Sequence, residues 1–183
     1  YTVHELLEEF PGEALRLSLL QTHYRAPLDF TKEGVGQAKA TLDRFYGALR
    51  GLSTAKVEGT PPPALLEALE DDLNTPQAIT VLHETLNLLN TAKTPETKLA
   101  AAGTLLAGGI YLGILQQDPE TWFRWSAQGA TPLEDREIDQ LSADRAAARA
   151  AKNFSESDRI RDELLEAGIM LEDKAGNTVW RRK

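Results

Sequence analysis

The sequence predicts a mainly α protein: an antiparallel helical bundle followed by a small α/β module of two helices and a β-hairpin. Three observations carry this. Apolar side chains recur at steps of three and four through most of the first 116 residues, with capping residues, Pro or Gly at the breaks. From Pro132 onward the chain turns Ala- and Arg-rich. After Gly168, two short strand-like runs flank the turn sequence Lys174-Ala175-Gly176-Asn177.

Thr2 is placed to cap a helix over Val3 to Phe10, with Glu5 at the reciprocal capping-box position. Pro11-Gly12 breaks the run, and a second helix is expected over Glu13 to Tyr24, ended by Pro27. Thr31 to Leu52 carries Val35, Ala38, Leu42, Phe45, Leu49 and Leu52 at steps of three and four, although Gly34 and Gly36 weaken its first turns. Gly51 to Pro63 reads as a loop, and Ala64 to Leu69 as a short helix. Asn74 or Thr75 then caps a helix to about Ala92, with Pro76 near its start. Thr94-Pro95-Glu96 starts another that reaches about Leu115, and Gly108-Gly109 inside it allows a kink or a close helix contact. Gln117 to Thr131 reads as a linker. Its Trp122, Phe123 and Trp125 either pack back on the bundle or form an exposed contact surface. Pro132 to about Asn153 is helical. Ser155, with Asp158 three residues on, offers a cap for the next helix, and Gly168 suits its end. Ile169–Glu172 and Thr178–Arg181 form the hairpin.

The 183 residues are 42% hydrophobic and 26% charged, an ordinary globular balance with enough apolar material for a core. No window approaches a membrane span, and the acidic first residues are not a signal peptide. The expectation is a cytoplasmic protein. The chain has no cysteine, which excludes disulfides, a Cys nucleophile and thiolate metal sites, and its three histidines have no metal-pair spacing. It opens on Tyr1 rather than Met, so it reads as a fragment of a longer protein.

No catalytic constellation emerges. Asp71-Asp72 with Asn74 could hold magnesium, but a helix end followed by a cap accounts for the same residues. The net charge of −8 argues against bulk nucleic-acid affinity. Ten of the 20 basic residues, however, lie in the last 52 positions, and Arg149, Lys152, Arg159 and Arg161 stand near Phe154. A ring that stacks on an unpaired base, beside groups that read its edge and neutralise phosphate, is how proteins hold single-stranded RNA. The alternative is a solvated pair of charged helices with Phe154 packed at a helix start.

Several segments, in order, resemble the bacterial cysteinyl-tRNA synthetases. They are Thr2–Leu7, His23-Tyr24-Arg25-Ala26-Pro27-Leu28-Asp29-Phe30, Ala68–Pro76, Leu115–Pro119, Ala147–Phe154, Asp158–Asp162, Gly168–Asp173 and Thr178–Arg182. The resemblance spans nearly the whole chain and implies the tRNA-binding half of such an enzyme, without its catalytic domain. It implies that residues 1–28 end a stem-contact region, 29–117 form a helical bundle domain, 118–131 a linker and 132–183 an anticodon-binding domain. ATP and zinc would belong to the missing catalytic part, with no cofactor in this one. The implied partners are cysteine tRNA and the missing catalytic domain, with no membrane, in a monomer. In the family an arginine, two aspartates and an aromatic residue read the anticodon GCA. The matching positions are Arg149, Asp158, Asp173 and Phe154, with Lys152, Arg181 and Arg182 facing the RNA backbone. Phe154 stands where better-known members carry Trp. For Asp158 the capping box, and for Asp173 a hairpin-turn role, are the structural alternatives. A related group that ligates cysteine to a sugar amine lacks the terminal module. A stand-alone helical interaction module without an RNA role is the remaining reading, with Trp122, Phe123 and Trp125 as its surface.

Overall fold

The computed structural model describes residues 2–52, 59–129, 133–174 and 177–182. Among them are nine helices and a two-stranded antiparallel sheet, which is the expected mainly α architecture. The chain divides into two compact units, Tyr1–Pro119 and Glu120–Lys183.

The first unit is all helical. Its elements are α1 (Val3–Glu9), α2 (Gly12–Leu20), α3 (Lys32–Leu49), α4 (Pro63–Glu70), α5 (Thr75–Thr91) and α6 (Pro95–Leu112). The capping signals are used as read. Thr2 and Glu5 form a reciprocal capping box, Thr31 accepts from Gly34 N, Asn74 from Gln77 N, and Thr94 from Thr97 N. Helix α2 packs on α3, α4 on α5 and α5 on α6. Leu17, Leu42, Phe45, Leu65, Leu82, Leu89 and Leu105 are among its fully buried side chains. The close-contact reading of Gly108 is the correct one. A Cβ there would stand 2.7 Å from Leu82 Cδ2 and 3.1 Å from Leu65 Cδ1, so α6 approaches α5 and α4 at a bare backbone.

In this unit three helix ends fall three or more residues short of the sequence reading, the first being α3, which ends at Leu49 rather than Leu52 because Arg50 turns to extended backbone. Helix α2 ends at Leu20, not Tyr24, because the next residues turn outward. The Tyr24 hydroxyl donates to Asp72 at 2.6 Å, and Arg25 Nε lies 2.8 Å from the same carboxylate. Asp72 is therefore held by an arginine and a tyrosine. Helix α6 stops at Leu112, where Gly113 takes the left-handed conformation (φ 66°) that a helix C-terminus favours.

Glu13 at the start of α2 ties the far end of this unit to its beginning. Its carboxylate accepts from Tyr46 Oη (2.8 Å), Leu115 N (2.9 Å) and Gln116 N (3.1 Å). Tyr46 is fully buried, and burial, reinforced by the bond to Glu13, pushes its phenol well above the usual range.

The second unit contains α7 (Pro119–Arg124), α8 (Asp135–Ala150), α9 (Phe154–Glu166), β1 (Ile169–Lys174) and β2 (Asn177–Arg182). The segment read as a linker thus holds a short helix, in which Trp122 and Phe123 are buried. Trp125 is half-buried, so two of the three aromatic side chains are withdrawn from the surface and do not form an exposed contact patch. Helices α8 and α9 pack together, with β1 against α9 and β2 against α8. Ile138, Ile160, Leu164, Ile169 and Trp180 form the core. Trp180 Nε1 donates to Asp139 (2.7 Å) while Arg124 covers the ring at 4.9 Å.

The cap of α9 is a correction. Asn153, not Ser155, is the N-cap, and its side chain accepts from Glu156 N. The helix starts at Phe154, which puts Ser155 and Asp158 inside it and removes the capping-box role proposed for Asp158. The strands pair as expected, Leu171 opposite Trp180 and Asp173 opposite Thr178, so Asp173 is a strand residue rather than part of the turn. The expected turn at Ala175-Gly176 lies outside the described residues.

Candidate nucleic-acid interface

The candidate residues gather where the end of α8, the start of α9 and the tip of the hairpin meet. Alternation along β1 explains the placement. Ile169, Leu171 and Asp173 share one face, and their partners Arg182, Trp180 and Thr178 share it too. The inner two-thirds of that face is core. The tip is polar and turns Asp173 toward α8.

There the Asp173 carboxylate meets two arginines one helical turn apart. Arg145 grips it with both ends of its guanidinium, Nη1 to Oδ1 at 2.9 Å and Nη2 to Oδ2 at 3.0 Å. Arg149 Nη1 donates to Oδ2 at 2.7 Å, and Thr178 Oγ1 to Oδ1 at 2.8 Å. The Arg145 and Thr178 hydrogen bonds hold the carboxyl far below the usual carboxylate range, and Arg149 adds to them. Arg145 is 7% exposed. Sequence reasoning missed it because an Ala- and Arg-rich helix looks solvated. Its i−4 spacing from Arg149 was the available signal.

Arg149 is half exposed, at 51% of its side chain. Lys152 follows at φ 60°, an unusual left-handed conformation for a residue with a side chain. It closes α8 in a Schellman turn, with Lys152 N bonded to Arg149 O (3.0 Å) and Asn153 N to Ala148 O (2.8 Å). That tight turn directly precedes Phe154, a residue that is 63% exposed. Phe154 does not pack at the helix start. Asp158 lies one turn further along α9, exposed, 3.3 Å from Arg161 and close enough to Arg145 to help keep it charged. The structure thus brings Arg149, Asp173 and the missed Arg145 together, with Phe154 and Asp158 on one face of the neighbouring helix.

Other basic residues are committed elsewhere. Arg159 pairs with Glu156 and Glu163, and Arg161 with Asp158 and Asp162. Arg181 is on the opposite face of the hairpin, 2.9 Å from Glu172. Arg182 points inward. It is buried, bonded to Asp135, and lies over the Trp180 ring. Its position supports the hairpin rather than a contact with an external phosphate. His83 packs against Phe45 at 5.1 Å, and burial, then Arg44, lowers its pKa. Among the described residues, no group of three or more His, Cys, Asp or Glu could hold a metal ion, and no helix is long and apolar enough to cross a membrane.

Comparison with known proteins matches both units. Residues 65–116 match the DALR domain family, and residues 131–181 match the cysteinyl-tRNA ligase anticodon binding domain family. The chain is 50% identical over 185 residues to a cysteine-tRNA ligase of Paramagnetospirillum magneticum, covering 100% of this chain and 40% of that protein. It is 50% identical over 182 residues to the ligase of Parvibaculum lavamentivorans (98% of this chain, 39% of that protein). It is 51% identical over 182 residues to that of Rhodospirillum centenum (100% and 40%). The chain spans about 40% of the length of these curated relatives. With its helical first unit and a terminal module that presents Arg149, Phe154 and Asp173 on one end, the chain belongs to the cysteinyl-tRNA ligase family and carries its DALR and anticodon binding domains.

Proposed function

We propose that this chain is the tRNA-recognising part of a cysteine-tRNA ligase and that its terminal module reads the anticodon of cysteine tRNA. The observation that carries this is the Arg149–Asp173 pair beside the exposed ring of Phe154, on a module of the anticodon binding family. An anticodon loop supplies unstacked bases with open edges. Phe154 offers a stacking face, Arg149 offers forked donors to a base edge or phosphate, and Lys152 offers a compact positive charge at the turn. Asp158 supplies an acceptor for an exocyclic amine on the face of α9 that carries Phe154.

In this reading the helical unit follows the tRNA body, and the whole ligase joins cysteine to its tRNA with ATP through cysteinyl-adenylate, in the cytoplasm and as a monomer. This chain does not itself catalyse the ligation. Zinc does not fit the residues seen here. The chain has no Cys, and the described His, Asp and Glu residues form no ligand cluster. The metal and ATP belong to the remainder of the parent enzyme.

The test is a titration of the chain with cysteine tRNA and with the same tRNA carrying a changed anticodon, at about 50 and 200 mM salt. Native tRNA is expected to bind more tightly. Arg149→Ala and Phe154→Ala are each expected to weaken that binding by about 1–3 kcal/mol, the usual range for one base-edge or stacking contact. Equal binding of both tRNAs by the wild type overturns anticodon reading.

A further inference from the structure

Helix α7 lies between the two stretches that the family models match, residues 65–116 and 131–181. Its last residue nevertheless grips the terminal module. The Arg124 guanidinium lies over the Trp180 ring, 4.9 Å from its centroid, and holds out one nitrogen to each of two carboxylates. Nη1 is 3.7 Å from Asp135 Oδ2, and Nη2 is 3.8 Å from Asp139 Oδ1. Asp135 and Asp139 stand one turn apart, so they share one face at the start of α8. Each carboxylate is also tied to β2, Asp135 by Arg182 and Asp139 by Trp180 Nε1. The first turns of α8 and the end of β2 thus form a seat for a planar cation. The two arginines at this seat differ in kind. Arg182 is buried and tightly bonded, a fixed staple. Arg124 keeps 41% of its side chain exposed, and its ion pairs exceed hydrogen-bond length, so it can leave without opening the core.

We propose that Arg124 is a releasable latch: closed, it makes α7 part of the terminal module, and open, it frees α7 and lengthens the connection between the two units. The seat is at the base of the module. Helix α8 rises about 20 Å from Asp135 to Arg149, so the latch does not touch the anticodon site. Its effect on RNA therefore comes through the connection alone. A tRNA held by both units is bound more tightly when that connection is short, because the second contact forms at a higher effective concentration. An anticodon stem-loop held by the module alone gains nothing from it. The latch sets how well the two units act together on one RNA, and that consequence rests on the tRNA reading above.

Trypsin cleaves after arginine, so the latch residue reports on itself. Asp139→Asn leaves Arg124 and an acceptor for Trp180 Nε1 in place and removes one of the two charges that hold the fork. In the full chain, native-state cleavage after Arg124 is expected to run about five- to tenfold faster in Asp139→Asn than in the wild type, because local opening governs the cut. Circular dichroism and thermal unfolding check that the variant is folded. Cleavage of the folded variant at the wild-type rate means that the burial of Trp122 and Phe123 holds α7 without Arg124, and it overturns the latch. If Asp139→Asn does not fold, Arg124→Lys, which keeps the charge and loses the fork, takes its place. Hydrogen exchange of the α7 amides is then expected to quicken, and unchanged exchange overturns the latch. The second arm is binding. Arg124→Lys is expected to bind whole cysteine tRNA about tenfold more weakly than the wild type, and its anticodon stem-loop equally well, with the salt dependence unchanged. An equal loss for both RNAs, or no loss for either, overturns the role in joint binding. A wild type that binds neither RNA overturns the tRNA reading, and the cleavage rates then decide the latch by themselves.

Discussion

Asp173 is nearly half exposed, yet its carboxylate is among the most constrained groups in the chain. Two arginines and a threonine stabilise its charged form, so its folded-state pKa lies below that of the unfolded chain, about 3.9. The stabilisation is complete above that value and is lost as pH falls from about 4 toward the folded-state pKa. Asp173→Asn is therefore expected to flatten the acid limb of the unfolding curve of residues 120–182 below about pH 4. At pH 7 it should lower stability by about 1–2 kcal/mol, because Arg145 stays buried without its partner. That is less than the ~3–5 kcal/mol of a fully buried pair, since solvent reaches the carboxylate. Urea unfolding followed by tryptophan fluorescence at several pH values measures both effects. Arg149, Phe154, Asp158 and Asp173 were visible in the sequence as members of a resembling motif. The saturation of Asp173 was not, because it depends on Arg145, 28 residues away in the chain and brought close by the packing of α8 on α9 and of the hairpin on both helices.

At the scale of elements, local chemistry explains most boundaries. Thr2, Thr31, Asn74 and Thr94 cap the helices they precede because each short side chain reaches a free backbone N–H three residues on. The start of α9 was ambiguous for a physical reason. Asn153 and Ser155 are both competent caps two residues apart, and the Schellman turn that ends α8 selects the first. Asn153→Ala is expected to destabilise the second unit by about 1 kcal/mol, and Ser155→Ala, now inside the helix, to be neutral or slightly stabilising. Thermal unfolding of the two variants tests this directly, and the reverse order would restore the Ser155 cap. Helix α7 escaped the reading because six residues give too short a period to recognise. Its clue was chemical, two large aromatic side chains between polar ends. The hairpin was legible because alternation with period two is visible over a few residues. The same alternation separates Arg182, turned into the core face, from Arg181 on the other side.

For the whole molecule, charge and tryptophan are both unevenly placed. The last 52 residues hold ten basic and twelve acidic side chains, nearly balanced, so most of the net charge of −8 lies in the helical part. Acidity away from the contact face suppresses nonspecific RNA binding while leaving a local site positive. All three tryptophans, at 122, 125 and 180, lie in the second unit, so indole fluorescence follows that unit alone while helical circular dichroism is weighted to the first. Glu13→Ala removes the acceptor of the Tyr46 hydroxyl, which keeps its bond from Gln117 N, and the acceptors of two backbone N–H groups. It is expected to lower the midpoint of the helical signal, at about 2–3 kcal/mol. The same carboxylate also dictates an order of events during synthesis. Its bonds to Leu115 and Gln116 close a loop of more than 100 residues. At about 5–20 residues per second, roughly 5–20 s separate the translation of Glu13 from that of its partners. Throughout that interval any contact between α2 and α3 lacks the strap that finishes it in the complete chain. A nascent chain of this kind offers chaperones a defined waiting period, one that ends when the Leu115 segment arrives.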